Sequence, residues 1–154
     1  MRTLPVSQLN RPELEQVAAT LKASGRLAES FGGLAYLDID DAYIHQLFPL
    51  LKEPQAQKPD YFGAGSIGAH ITVTYPEEGV FIRKEDLGRE YAFKTTVVST
   101  AELGLKKYYV LQVESPALLA LRQHYGLPDK LQFANQWVDF HITIGVCPLF
   151  IAGK

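Results

Sequence analysis

The chain has 154 residues, of which 47% are hydrophobic and 21% are charged, as in an ordinary globular domain with a sizeable core. Its formal net charge of −2 gives no overall attraction for long duplex nucleic acid or an anionic membrane. A single cysteine, Cys147, and the lack of an apolar run of roughly 18 residues indicate a cytoplasmic protein without a membrane partner. We expect one domain over residues 1–154, with an N-terminal helical extension at about residues 1–30.

The first half of the chain is predicted to contain two helices separated by a strand. A capping pattern at Asn10 predicts an amphipathic helix over residues 11–24, which Gly25 should end. Residues 34–40 alternate in polarity as a strand does, and residues 41–53 carry the apolar stripe of a second helix.

Proline and glycine shape the segment that follows. Pro49 predicts a kink or break in the second helix, and residues 53–68 are predicted to form a loop. Tyr61 and Phe62 lie in this loop, where an aromatic pair can stack on a nucleotide base. They can equally anchor the loop to the core, and the sequence leaves both roles open.

The second half of the chain is richer in strands. Residues 100–104 are expected to form a turn and residues 129–137 an irregular connector. Ser115 followed by Pro116 predicts a helix start, with a serine cap and proline in the first turn. The predicted elements are a strand at residues 91–99, a strand at 107–114, a helix at 116–125 and a strand at 138–146. Tyr108, Val110 and Gln112 share one face of the second of these strands.

Two of the strands carry the same short motif. It occurs in Gly-Ala-His-Ile-Thr-Val-Thr-Tyr at residues 68–75 and in Phe-His-Ile-Thr-Ile-Gly-Val at residues 140–146. Alternation places His70 with Thr72, and His141 with Thr143, on the face opposite the buried isoleucines. Tyr75 falls on the isoleucine face and is expected in the core. One such motif is usually structural, but two matching copies among four histidines are rarely a coincidence.

The order of elements also repeats. Each half of the chain contains a strand, a helix, a loop and a His-Ile-Thr strand, and strands outnumber helices, so the fold class is α+β. A pseudo-twofold arrangement of the two units would bring the motif strands near each other across a groove.

Paired His-x-Thr strands in a small α+β domain resemble the 2H phosphoesterase superfamily, over about residues 33–148. This resemblance implies a bilobal fold of two pseudo-symmetric β-α-β units, with antiparallel sheets around a central cleft. Many members have leucine where this chain has Val73 and Ile144, a conservative change on the buried face. The superfamily includes RNA 2′,3′-cyclic phosphodiesterases and small signal-degrading enzymes of phages, which act on cyclic nucleotides of host immunity.

The motif residues themselves suit general acid–base catalysis on a phosphodiester. One neutral imidazole takes a proton from water or a ribose hydroxyl, and the other, as imidazolium, protonates the leaving oxygen. Thr72 and Thr143 would donate hydrogen bonds to the non-bridging oxygens. Two histidines leave a zinc site a ligand short, so we expect neither a metal nor another cofactor. Asp139, two residues before His141, favours a protonated imidazole, and our hypothesis is that His141 is the acid and His70 the base. If Asp139 instead lies outside the cleft and pairs with solvent, the sequence leaves the two roles open.

Other charged side chains are placed outside the predicted site. His45 is expected at the edge of the second helix, and His124 in the last turn of the helix over residues 116–125, where a cation suits the helix dipole. Lys94, Lys106 and Lys107 are candidates to meet a phosphate, but each serves equally as a surface charge.

The expected activity is therefore metal-independent hydrolysis of a 2′,3′-cyclic phosphate, or of a small cyclic or 2′–5′-linked oligonucleotide. The expected partner is a small nucleotide or an RNA end. The sequence leaves open a catalytically idle nucleotide- or RNA-binding module on the same fold, and an interaction domain with two buried, distant histidines. It also leaves open the oligomeric state.

Overall fold

The structure, a computed structural model, describes residues 1–60 and 66–149. In chain order the elements are β1 Arg2–Thr3, β2 Ser7–Gln8, α1 Pro12–Ala18, β3 Ser24–Glu29, β4 Ala35–Asp38, α2 Ala42–His45, α3 Phe48–Leu51, β5 His70–Thr74, β6 Glu90–Ala92, β7 Lys94–Leu103, β8 Lys106–Glu114, α4 Pro116–His124, β9 Leu131–Phe133, β10 Gln136–Val138 and β11 His141–Pro148. A short 3₁₀ helix, Pro76–Glu78, follows β5.

A large antiparallel sheet of eight strands organises these elements, in the order β2-β7-β8-β11-β5-β4-β3-β6. This confirms the predicted α+β class. The two motif strands, β5 and β11, are hydrogen-bonded neighbours, with Ile71 opposite Ile142. On one side of this pair lie β4 and β3, and on the other lie β8 and β7, so the two units are arranged about the β5–β11 pair. The motif strands therefore sit side by side in one sheet, rather than facing each other across a groove.

The two faces of the sheet have different surroundings. Ile71, Ile142 and Leu111 are completely buried on one face, in a single core with helix residues such as Ile44 and Leu118. Strand alternation sends the histidine and threonine side chains to the other face. A second, three-stranded sheet of β1, β10 and β9 contributes walls to the cleft on that face.

The N-terminal segment contains less helix than predicted. The helix ends at Ala18, well short of residue 24, and the hydroxyl of Thr20 donates to the carbonyl of Val17 at 2.6 Å, a local bond that competes with the next helical turn. Residues 24–29 form β3, which pairs with both β4 and β6. The segment up to residue 30 thus contains two short strands, a helix and β3, and both β2 and β3 belong to the main sheet. The limits given for the single domain stay a prediction.

Other local predictions met mixed outcomes. The break at Pro49 is confirmed, since α2 ends at His45 and α3 begins one residue before the proline. The turn predicted over 100–104 is wrong, because β7 continues to Leu103 and turns only at Gly104, where φ is +62°. The connector over 129–137 contains the hairpin of β9 and β10, which turns through Ala134 and Asn135 with positive φ angles. In the described ranges, no helix is long and apolar enough to cross a membrane.

Candidate active site

The register of β5 and β11 brings the four motif side chains to one face. With Ile71 opposite Ile142, continuing the antiparallel pairing sets His70 opposite Thr143 and Thr72 opposite His141. Diagonal neighbours on such a ladder lie roughly 7–8 Å apart, so one phosphate can lie between the two imidazoles. This arrangement disfavours the alternative of two distant, purely structural histidines.

Both imidazoles are held in the same way. The Nδ1 of His70 lies 2.9 Å from the carbonyl oxygen of Gly68, and the Nδ1 of His141 lies 2.8 Å from that of Asp139. A carbonyl oxygen only accepts hydrogen bonds, so each Nδ1 carries a proton. In the neutral ring, Nε2 is then the nitrogen that can accept a proton, and the shared geometry gives both histidines the same tautomer.

A cleft of about 480 Å³ covers this face of the sheet. All four motif side chains line it, together with Tyr108, Val110 and Gln112 from β8, as their predicted common face allows. Much of the remaining lining is apolar, with side chains that include Leu4, Val6, Leu34, Ile67, Leu103 and Val138. The size and the apolar walls are those of a small-molecule site.

A family model described as "Swiss Army Knife, 2H phosphoesterase domain" matches residues 35–149, most of the chain including both motifs. The chain belongs to the 2H phosphoesterase family. No curated protein and no solved structure matches it. The family predicted from the paired motifs is therefore confirmed, and the chain is a phosphoesterase-type hydrolase.

Electrostatics in this 2H phosphoesterase distinguish the two histidines. Burial lowers the pKa of His70 below its ordinary 6.5; the Gly68 hydrogen bond opposes this, and the charge of His141 lowers the pKa further. Burial also lowers the pKa of His141, but both the backbone and the carboxylate of Asp139 oppose it. The Asp139 carboxylate lies at the exposed rim, 2.7 Å from Lys130 Nζ. Among the described residues, only His141 has a carboxylate among the groups that raise its pKa.

Backbone anchors set the position of His70. The carboxylate of Asp41 accepts a hydrogen bond from the backbone N–H of Ala69 at 2.9 Å. Gly68, whose carbonyl holds the imidazole, has a φ of +71°, and a Cβ there would lie 2.6 Å from the Asp41 carboxylate. Glycine is required at this position on both counts. From across the β4–β5 pair, Tyr36 packs edge-on against the His70 ring at 5.8 Å.

Two aromatic residues of the cleft were not predicted. Tyr75 was expected in the core, but it lies one residue beyond the end of β5, where strand alternation no longer holds, and it lines the cleft half-buried. Its ring packs against that of Phe133, also in the cleft, with centroids 4.5 Å apart. Phe133 belongs to β9, in the segment predicted to be irregular, and no sequence signal joined it to β5.

Four other aromatic or histidine residues were singled out in the sequence. Tyr61 and Phe62 fall outside the described residues. His45 and His124 are both exposed on their helices, the first beside Lys58 and the second beside Tyr125. Within residues 1–60 and 66–149, no group of three or more His, Cys, Asp or Glu side chains could hold a metal ion.

Proposed function

We propose that the protein is a metal-independent phosphodiesterase in which His70 and His141 are the general base and general acid. Its substrate is a 2′,3′-cyclic phosphate, or a small cyclic or 2′–5′-linked nucleotide. The observation that carries this proposal is the matched pair of Nδ1–carbonyl hydrogen bonds on two adjacent strands. Such bonds prepare two Nε2 atoms for proton transfer on one face of the sheet.

The proposed reaction needs one neutral and one protonated imidazole. Nε2 of His70 takes a proton from water, whose oxygen forms the new bond to phosphorus. The bond from phosphorus to the leaving ribose oxygen breaks, and Nε2–H of His141 gives its proton to that oxygen. Thr72 and Thr143, opposite the two histidines on the ladder, donate hydrogen bonds to the non-bridging oxygens and stabilise the charge that develops on them.

The cleft supports a nucleotide-sized substrate. Tyr75 and Phe133 give it an aromatic wall on which a base can stack. Family membership supports the phosphoester chemistry, and the single, buried, unpaired Cys147 supports action in the cytoplasm. RNA-end processing and degradation of an immune signalling nucleotide both use this chemistry, and the linkage that is cleaved distinguishes them.

The test is hydrolysis, in the presence of EDTA, of nucleoside 2′,3′-cyclic phosphates, 2′–5′ dinucleotides and cyclic dinucleotides. We expect at least one member to be cleaved by the wild type, and His70→Ala and His141→Ala each to lose about 10²–10⁴-fold in rate, as loss of a general acid or base does. The matched control is His124→Ala, which removes an exposed histidine outside the cleft and should retain full activity.

Three results would contradict the proposal. Activity that survives both cleft variants would remove the two-histidine mechanism, and activity abolished by EDTA would show a metal requirement. Binding of a nucleotide without cleavage of any panel member would favour the idle binding module on the same fold.

A further inference from the structure

We propose that the substrate carries a single negative charge, that of the phosphodiester being cleaved, and that the groups flanking this phosphate are uncharged. This inference rests on the proposed function and narrows it. It selects cyclic mononucleotides and nucleoside 2′,3′-cyclic phosphates over substrates with a second phosphate close by.

The charges that line the cleft are few. Among the described residues that line it there is no lysine or arginine, and the one formally charged side chain is that of Asp139. This carboxylate is already paired with Lys130 at the exposed rim. With one imidazole protonated, the motif supplies one positive charge, which balances one phosphodiester. The described lining residues offer no cation for a second phosphate.

The nearest lysines along β8 are directed elsewhere. Lys107 is on the opposite side of the strand, with its Nζ 5.5 Å from the ring centroid of Tyr109. Lys106 shares the cleft face but is exposed at the end of the strand. It is four residues from Val110, the ladder partner of Thr143, which is roughly 13 Å along a strand. Lys106 therefore lies at the exposed end of this face, beyond hydrogen-bond distance of the scissile phosphate.

The apolar walls make a second charge costly. An ionised group that leaves water for an apolar cleft loses its hydration, and only an opposite charge or several hydrogen bonds can compensate. Apolar side chains on β7, β8 and β10, such as Leu103 and Val110, offer neither. The overall charge of −2 adds no long-range attraction for a polyanion.

The test compares three substrates that differ at one position. They are adenosine 2′,3′-cyclic phosphate, its 5′-phosphate, and its 5′-sulfamoyl ester, which has nearly the shape of the phosphate but no charge. We expect the sulfamoyl ester to be hydrolysed about as well as the parent. We expect kcat/KM for the 5′-phosphate to be lower by about tenfold or more, the cost of one unpaired charge.

Equilibrium binding of the same three compounds to the His70→Ala/His141→Ala variant measures the preference without chemistry. The proposed function fails if no compound in either panel is cleaved with dependence on the two histidines. The charge preference fails if the 5′-phosphate reacts or binds as well as the parent compound. It also fails if the sulfamoyl ester is disfavoured as strongly as the 5′-phosphate, because the size of the 5′ group and not its charge would then determine the preference. Binding that ranks the compounds as expected supports the preference even without turnover.

Discussion

A buried ion pair is expected to hold the first motif strand to the second unit. Arg122 of α4 is fully buried, and the Glu78 side chain is 2% exposed. All five N–H groups of the guanidinium donate: two to the Glu78 carboxylate at 3.0 and 2.7 Å, and three to the carbonyls of Val73, Pro128 and Lys130 at 2.8, 3.0 and 2.9 Å. The Val73 carbonyl belongs to β5, one residue after Thr72.

Replacement of Arg122 by methionine would leave the Glu78 carboxylate unpaired and three carbonyls without these donors. Loss of one partner from a buried pair costs about 3–5 kcal/mol, a large share of the stability of a small domain. The stability of Arg122→Lys should lie between that of the wild type and that of Arg122→Met. The ammonium keeps a positive charge, but it cannot reproduce the five planar donors of the guanidinium. We would measure the free energy of unfolding in urea at pH 7 for both variants.

A double-mutant cycle with Glu78→Gln tests the reasoning further. The double variant Arg122→Met/Glu78→Gln should be less destabilised than the sum of the single variants by at least about 1 kcal/mol, because no buried charge is left over. The reasoning is refuted if Arg122→Met costs less than about 1 kcal/mol, or if the two substitutions add exactly.

Three further predictions concern local anchors. Asp41→Ala removes the acceptor of the buried Ala69 N–H, so it should cost about 1–3 kcal/mol and lower kcat, whereas Asp41→Asn keeps an acceptor and should retain more of both. Gly25→Ala would put a Cβ 2.3 Å from the Asp38 carbonyl oxygen, so it should lower the free energy of unfolding by about 1–3 kcal/mol, seen as a lower melting temperature. Ser115→Ala removes the α4 cap and the hydrogen bond from the Ser115 hydroxyl to the Ala92 carbonyl, so it should cost about 1–2 kcal/mol in urea unfolding. Ser115→Thr, which keeps a hydroxyl that can both accept and donate, should cost less.

Patterns of short range were enough to predict the motif strands and α4, the helix that begins after Ser115. His70 and Thr72 are on one face because strand alternation requires it, and the Oγ of Ser115 caps α4 as the Ser-Pro pair predicts. The common face of Tyr108 and Gln112 was also readable from alternation. These features depend only on neighbours in the chain.

Features that depend on distant pairing could not be read in the same way. Arg122 resembles a surface residue of an amphipathic helix until Glu78, forty-four positions away, is placed beside it. Tyr75 packs against the edge of the core and also lines the cleft, because β5 ends before it. Residues 24–29 form a strand because β4 and β6 are available on both sides. In each case the conformation depends on residues or strands far away in the sequence, which the local pattern does not identify.

The pH dependence of the reaction tests the roles proposed for the two histidines. Both imidazoles donate from Nδ1 to a backbone carbonyl, so this contact does not distinguish them. The assignment of His141 as the acid therefore rests on the Asp139 carboxylate, which raises the pKa of His141 against the effect of burial. With both pKa values below the ordinary 6.5, kcat/KM should peak below about pH 6.5, rising as His70 deprotonates and falling as His141 deprotonates. Asp139→Asn should move the falling limb to lower pH, most clearly at low salt, and Lys130→Gln should move it to higher pH. If Asp139→Asn moved the rising limb instead, His141 would be the base; if neither limb moved, the carboxylate would have no part in the assignment.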